Sequence, residues 1–371
     1  MSDIFIIFAG FKFNSEMKKT HISLLYAAAC LFLSGCAHTV EESTNEADKR
    51  YFDAWLTLNA PGVKPEGLGI YVLEEKEGSG AEVTAEGYAL VDYIASDLEG
   101  NISSYTGSET AKQLGTYAET SYYGPKFWLT TDGTMQAGIL DALKGMKVGG
   151  SKEVIIPSWL MSYSTYSTGA EYLAHASSSS SAIYEFTVKD FTKDIDQWQA
   201  DSIVRFFSNP TVKVAGKPAD EVFVKDGAPM TMADTLQAGF FYKQLVAPSD
   251  TTTFKNDTTV YINYTGKLLN GLVFDTNIKR VAQDNGLYSP SKTYGPVKIT
   301  WGEKYSEITM GSENSSVISG FALTLWQMRA MEKGVGVFWS ALGYSYSGSG
   351  ASIPPYSPLI FEIELVAEPE D

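Results

Sequence analysis

A tripeptide, Tyr-Gly-Pro, stands at Tyr123-Gly124-Pro125 and again at Tyr294-Gly295-Pro296, and the stretches around the two copies follow one order. Well ahead of each lies a segment of helical periodicity. Ala47 to Leu58 sets Tyr51, Trp55 and Leu58 on one face with Phe52 beside them, and Asn59-Ala60-Pro61-Gly62 stops it. Asp194 to Ser208 carries Ile195, Trp198, Ile203 and Phe206-Phe207 and ends at Asn209-Pro210. A linker and then a strand follow each helix, the strands opening at Gly67 and Gly239. The tripeptides fall inside two insertions, Tyr105 to Lys126 and Asn277 to Glu307, at the same place in each half. A unit of helix plus sheet recurring at about 150–170 residues reduces the problem to one architecture used twice. The insertion argues for duplication more strongly than the helices do, because amphipathic helices arise independently far more easily.

The second half carries the sharper pattern. Tyr261 to Thr265 is β-branched and aromatic, which suits a pleated, half-buried strand. Asn270-Gly271 is a hairpin signal, read as two residues at φ > 0. Leu272 to Phe274 returns antiparallel and Asp275 closes the strand. Val317-Ile318-Ser319-Gly320-Phe321 opens a helix on which Ile318, Phe321, Leu325 and Met328 recur at helical spacing. Lys333-Gly334 breaks it, and a strand from Val335 to Ser340 follows. The loop Gly343-Tyr344-Ser345-Tyr346 comes next, then Ile353-Pro354-Pro355 and a terminal strand, Leu359 to Val366.

In that order the motifs resemble the FKBP-type peptidyl-prolyl isomerase domain over roughly Gly239 to Val366. The resemblance implies an α+β fold: two FKBP-like domains, each a curled antiparallel sheet wrapped on one short helix and each preceded by a helix. It implies a proline pocket in the second copy. Phe321 would be the floor, and Tyr264, Phe274 and Phe361 the walls, with Val317 and Ile353 completing the substrate contacts. The Ile318 backbone N–H and the Tyr346 hydroxyl would donate to substrate carbonyls, and Asp275 would orient the site from its rim. Asp275 then needs a partner, since an unpaired buried carboxylate costs about 1–3 kcal/mol or more; Lys279 and Arg280 are the candidates. Trp326 and Trp339 read as core.

The first copy, Gly67 to Thr192, keeps the outline and changes the lining. Ser103-Ser104 stands where the second copy has Phe274-Asp275, and Gln136 replaces the isoleucine at the helix start. The loop before the closing strand is Ser177 to Ser181 in place of Ile-Pro-Pro. This copy is expected to keep the fold without the site. The remaining divisions are residues 1–35, 36–66 for a tether and helix, 193–236 for a helix and linker with Val222-Phe223-Val224 as a strand candidate, and 237–371 for the second domain.

Met17-Lys18-Lys19 followed by Ile22 to Leu33 has the charged and apolar regions of a signal peptide, too short to span a bilayer. Met17 reads as the true start. Leu33-Ser34-Gly35-Cys36 resembles a bacterial lipoprotein cleavage site, so Cys36 is the expected lipidated residue, tethering an envelope protein to a membrane. With Cys30 in the leader, the mature chain would hold no free thiol and no disulfide. The three histidines are His21, His38 and His175, so a Ser-His-Asp triad or a His-based zinc site has almost nothing to be built from. No metal or cofactor is expected. The net charge of −16 argues against nucleic-acid binding.

Prolyl isomerisation fits such an inventory. It is rotation about a bond with a barrier of about 18–20 kcal/mol and requires no nucleophile, metal or histidine base. The expected function is therefore a peptidyl-prolyl isomerase and folding helper whose partners are proline-containing or unfolded exported polypeptides. A non-catalytic chaperone or protein-binding lipoprotein is the alternative, and the Tyr-rich stretch Tyr117 to Tyr123 leaves glycan binding as a third.

Overall fold

A computed structural model describes residues 44–176 and 179–369. Met17, the leader and Cys36 lie outside the described residues, as do Ser177 and Ser178 of the first-copy loop. Arg50–Asp371 form one compact unit. Of the other unit, Met1–Lys49, only the first turns of helix α1 (Thr44–Asn59) are described. Among the described residues no helix is long and apolar enough to cross a membrane.

The first half contains β1 (Tyr71–Lys76), β2 (Tyr88–Ser96), β3 (Ile102–Tyr105), α2 (Ser108–Gln113) and β4 (Lys126–Leu129). It continues with α3 (Ala137–Leu143), β5 (Ser151–Ile156), α4 (Gly169–Ala174) and β6 (Ala182–Thr192). After helix α5 (Ile195–Phe207) the order recurs. β7 (Phe240–Val246), β8 (Thr259–Leu268), β9 (Val273–Thr276), α6 (Lys279–Asp284) and β10 (Val297–Thr300) come first. β11 (Thr309–Met310), β12 (Ser315–Ser316), α7 (Ser319–Gln327), β13 (Lys333–Phe338) and β14 (Leu359–Val366) complete the chain.

The first sheet runs β1-β5-β6-β2-β3 with β4 also on β2, and the second runs β7-β13-β14-β8-β10-β11-β12 with β9 also on β8. Apart from the added β11 and β12 the two orders are the same, and every pairing is antiparallel. The insertions repeat in detail. Gly124 N–H donates to Thr106 O and Gly295 N–H to Asn277 O, both at 2.9 Å. Tyr123 and Tyr294 each take a backbone N–H on the hydroxyl at 3.0 Å, from Ala118 and Ser289. Each ring also stacks on a tyrosine six positions earlier, Tyr117 and Tyr288. The Tyr-Gly-Pro signature is the clasp that closes each insertion.

Packing follows the period of two along the strands. On the second sheet Phe240, Phe338, Leu359, Phe361 and Ile363 face α7, while Phe241, Val335, Val337 and Ile360 face the opposite side. That opposite side is covered by Phe206 and Phe207 of α5 and by Phe223 and Met230 of the linker. Helix α7 is apolar almost all round because it is enclosed: Phe321, Ala322, Leu323, Thr324 and Leu325 are all buried.

Three sequence expectations change. On α1 it is Phe52, with Trp55 and Leu56, that packs inward, while Tyr51 is 57% and Leu58 80% exposed. Val222-Phe223-Val224 is not a strand: a helical turn ends at Val222, Phe223 is buried, and a two-residue strand begins at Val224. At the hairpin only Gly271 has positive φ, at 92°. Asn270 instead accepts the Leu272 N–H on its side chain at 3.0 Å, an Asx-type turn that needs no second left-handed residue.

Candidate active site

Strand β8 alternates so that Ile262, Tyr264 and Leu268 join the core beneath α7. Gly266 lies opposite Phe361 on β14 and Asp275 on β9. A Cβ there would come within 2.6 Å of the Phe274 ring and 2.9 Å of the Phe361 ring. Only a glycine lets both rings lie across the strand.

Four of the expected rings converge. Phe321 meets Tyr264 edge-on at 5.6 Å and Phe361 at 5.1 Å, and Phe274 meets Phe361 at 5.6 Å. These T-shaped pairs set ring edges against faces, the favoured arrangement of aromatic quadrupoles. Tyr264, Phe321, Ile353 and Phe361 are each less than a tenth exposed. Phe274, Val317 and Ile318 pack against the same core and remain partly open to solvent, so this ring cluster, hereafter the cup, reaches the surface through apolar side chains. Ile318 is the N-cap of α7 with extended backbone (φ −62°, ψ 148°), and its own N–H has no acceptor among the described residues.

Asp275 closes one side of the cup. Its carboxylate accepts the Tyr264 hydroxyl at 2.6 Å and the Lys292 ammonium at 2.7 Å. Neither cation expected from the sequence reaches it: Arg280 pairs with Asp284 and Lys279 lies over the Tyr288 ring. Lys292 arrives from the insertion, seventeen positions downstream of Asp275.

Tyr346 does not join the cup. It is 70% exposed and lines a cleft against the first sheet. Tyr344, two residues earlier, packs on the cup instead. Ser345 between them sits at φ +54°, a left-handed conformation that turns the loop and sends the two side chains to different places. Burial, and then the Asp275 charge, push the Tyr344 phenol above its ordinary value; the same two causes in the same order push Tyr264 much higher. Both hydroxyls therefore stay protonated, as donors, through neutral pH.

The first sheet repeats this geometry with other side chains. Ser104 pairs with Ala95 as Asp275 pairs with Gly266, and Tyr184 lies opposite Ala95 as Phe361 lies opposite Gly266. Gln136 caps α3 as Ile318 caps α7, three residues before Ile139, as Ile318 precedes Phe321. The Tyr93 hydroxyl meets Ser104 Oγ at 2.9 Å, the counterpart of the Tyr264–Asp275 bond without its charge. Here lies a cleft of about 720 Å³.

Burial also raises the phenols of Tyr122 and Tyr184, each to about 12. With Tyr264 and Tyr344 they hold protons to higher pH in the folded chain than in the unfolded one. The stability these phenols contribute is therefore fully present below about pH 10 and is lost as pH climbs from there. Urea denaturation at stepped pH should show this decline, and phenolate absorbance should show a fraction of the tyrosines still un-ionised at pH 11.

Residues 250–366 match the family model described as FKBP-type peptidyl-prolyl cis-trans isomerase. Over 132 residues the chain is 33% identical to a probable FKBP-type peptidyl-prolyl cis-trans isomerase of Haemophilus influenzae, covering 36% of this chain and 44% of that protein. It is 31% identical over 107 residues to the FKBP-type 22 kDa peptidyl-prolyl cis-trans isomerase of Escherichia coli, covering 29% of this chain and 39% of that one. The chain thus spans less than half the length of these two relatives. Among solved structures, the three FKBP domains of wheat FKBP73 align over 80% of this chain and 94% of theirs, at 14% identity and a TM-score of 0.26.

Proposed function

We propose that residues 250–366, an FKBP-type peptidyl-prolyl cis-trans isomerase segment, turn over X–Pro bonds in the cup of Tyr264, Phe274, Phe321 and Phe361, and that the protein assists the folding of exported polypeptides. The observation that carries the reading is the convergence of the Tyr264, Phe274, Phe321 and Phe361 rings beside the Asp275 carboxylate. Rotation of the X–Pro amide passes through a twisted state with less charge separation than the planar one. A water-poor cup therefore favours the twisted state over the ground state, a differential effect of the kind that lowers a barrier.

Within the cup, Phe321 supports the pyrrolidine ring while Val317 and Ile353 enclose it. The Ile318 N–H is positioned to take a substrate carbonyl. The Tyr344 hydroxyl takes the donor role that the sequence suggested for Tyr346. Asp275 holds the Tyr264 hydroxyl through its 2.6 Å bond and is itself anchored by Lys292. No proton is transferred and no covalent intermediate forms. The exported part of the proposal stands on Lys18-Lys19, the apolar run and Cys36 alone, and with Cys36 acylated the cup would work beside a membrane.

A protease-coupled assay on a proline tetrapeptide separates the two tyrosines. Tyr344→Phe is expected to lower kcat/KM about tenfold or more, in line with the loss of one preorganised donor, and Tyr346→Phe to leave it unchanged. Wild-type rates at the uncatalysed background, or loss confined to Tyr346→Phe, would defeat the assignment.

A further inference from the structure

We infer that a cavity on the seam between the two halves of the chain is a separate binding site, which takes a small apolar carboxylate. None of Tyr264, Phe274, Phe321 and Phe361 lines it, and its occupancy does not depend on turnover in the second-sheet cup.

The cavity holds about 430 Å³, inside the range of about 300–1,000 Å³ typical of ligand pockets, which favour the seams between domains. Leu90 and Phe127, partners across β2 and β4, line it from the first half. Leu268 and Leu269 line it from the hairpin of the second half, and Trp198 and Phe206 from α5 between them. These walls are held in place. Phe127 meets Trp198 edge-on at 4.6 Å and Tyr356 edge-on at 6.3 Å. At the border the Tyr122 N–H donates to Ala351 O at 2.8 Å, tying the first insertion to the loop of the second half.

In a chain with 44 acidic and 28 basic residues, the charge in this lining is a cation, Arg205, and no carboxylate lines the cavity among the described residues. The guanidinium donates to Ser202 Oγ at 2.7 Å and lies over the Trp198 ring, and it pairs with no acid among the described residues. Asp190, close by, is engaged by the Trp198 indole N–H at 2.7 Å. The last turn of α5 favours a cation because its free carbonyls carry partial negative charge, so Arg205 stands there without an acid. The lining hydroxyls of Tyr122, Ser202 and Ser357 are spent on the carbonyls of Pro125, Trp198 and Pro354. Asn209 and Asn270 use their side-chain oxygens on backbone N–H groups, and their amide nitrogens have no acceptor among the described residues. What is left over is donors around one positive charge.

The complementary ligand has an apolar body and one acceptor-only head. An ionised carboxylate accepts without donating and matches the guanidinium fork in two parallel bonds. A neutral apolar molecule would cover Arg205 and leave its charge unpaired, which is costly. A more highly charged anion would exceed the single cation and would meet the field of a chain carrying −16. The body of the ligand is either an aromatic ring system or a short acyl chain, since both remove the same leucine and aromatic surface from water.

The test is calorimetric titration of the full chain with naphthoate and with decanoate, the latter below its micelle-forming concentration; the two separate the ring form of the ligand from the chain form. Wild type is expected to bind at least one of them, about tenfold more tightly than the corresponding neutral amide, as a charge-assisted hydrogen bond implies. Arg205→Gln, at an exposed position, is expected to bring the carboxylate down to the affinity of the amide. Arg205→Lys should recover part of the difference, since it keeps the charge and loses the fork. Phe321→Leu should bind like wild type, and isomerase rates in both Arg205 variants should stay at wild-type values. Absence of binding of both carboxylates overturns the inference, as does equal affinity for carboxylate and amide or binding unchanged in Arg205→Gln. Binding lost in Phe321→Leu yet kept in Arg205→Gln overturns it too, by putting the ligand in the second-sheet cup. A protein without isomerase activity that still binds the carboxylate through Arg205 would refute the proposed function and leave this site standing.

Discussion

Phe321→Ala is expected to destabilise the second-sheet core by about 3–5 kcal/mol and to bring isomerase turnover down to the uncatalysed rate. The ring is 3% exposed and is held by the edges and faces of Tyr264 and Phe361. Neither neighbour can follow a shrinking side chain, because each is fixed in its own strand register. The cost is therefore that of an unfilled cavity as well as lost transfer energy. Phe321→Leu separates the two effects. It should cost only about 1–2 kcal/mol, since most of the volume is kept, yet turnover should still fall because the flat floor is gone. Urea denaturation gives the first quantity and the tetrapeptide assay the second.

Glu332→Ala is expected to be comparably damaging to stability, far from any substrate. This carboxylate is 1% exposed and accepts three donors: the Tyr242 hydroxyl at 2.6 Å, the Gln244 amide at 2.9 Å and the Arg329 backbone N–H at 2.8 Å. It ties edge strand β7 to the turn between α7 and β13. Removing it strands all three donors at once, a loss of about 3–5 kcal/mol for a broken buried network. Glu332→Gln retains an acceptor oxygen and should recover roughly half of that. Isomerase activity, measured well below the lowered melting temperature, should be unchanged in both. A loss of turnover in the folded Glu332→Gln protein would instead couple this network to the cup.

The sequence made the order of elements legible because each carries its own periodicity. Strand β8 alternates, α7 is apolar at helical spacing, and Tyr-Gly-Pro marks a clasp used twice. The substitutions in the first-copy lining were also visible: strand register places Ser104, and the helix N-cap places Gln136, where simple alignment put them. What stayed hidden depended on contacts between distant segments. On α1, Trp55 shares an apolar stripe with Tyr51 and Leu58 as readily as with Phe52 and Leu56; only the docking surface chooses between them. Lys292 reaches Asp275 because the insertion folds back, and no spacing rule connects the two. Tyr344 and Tyr346 look equivalent in a loop, and residues two apart in an extended chain share a face. The left-handed Ser345 breaks that rule, and a serine gives no warning of it, whereas a glycine would have.

The central claim is that the second-sheet cup speeds rotation of a prolyl bond. Exchange spectroscopy of an isotopically labelled X–Pro peptide, with the amide spectrum of the protein recorded in the same titration, tests it most directly. The account predicts cis–trans exchange accelerated well above the tens-of-seconds uncatalysed timescale, with shifts centred on Tyr264, Phe274, Ile318 and Tyr344. Unaccelerated exchange, or acceleration accompanied by shifts only around Tyr93, Gln136 and Tyr184, would contradict it.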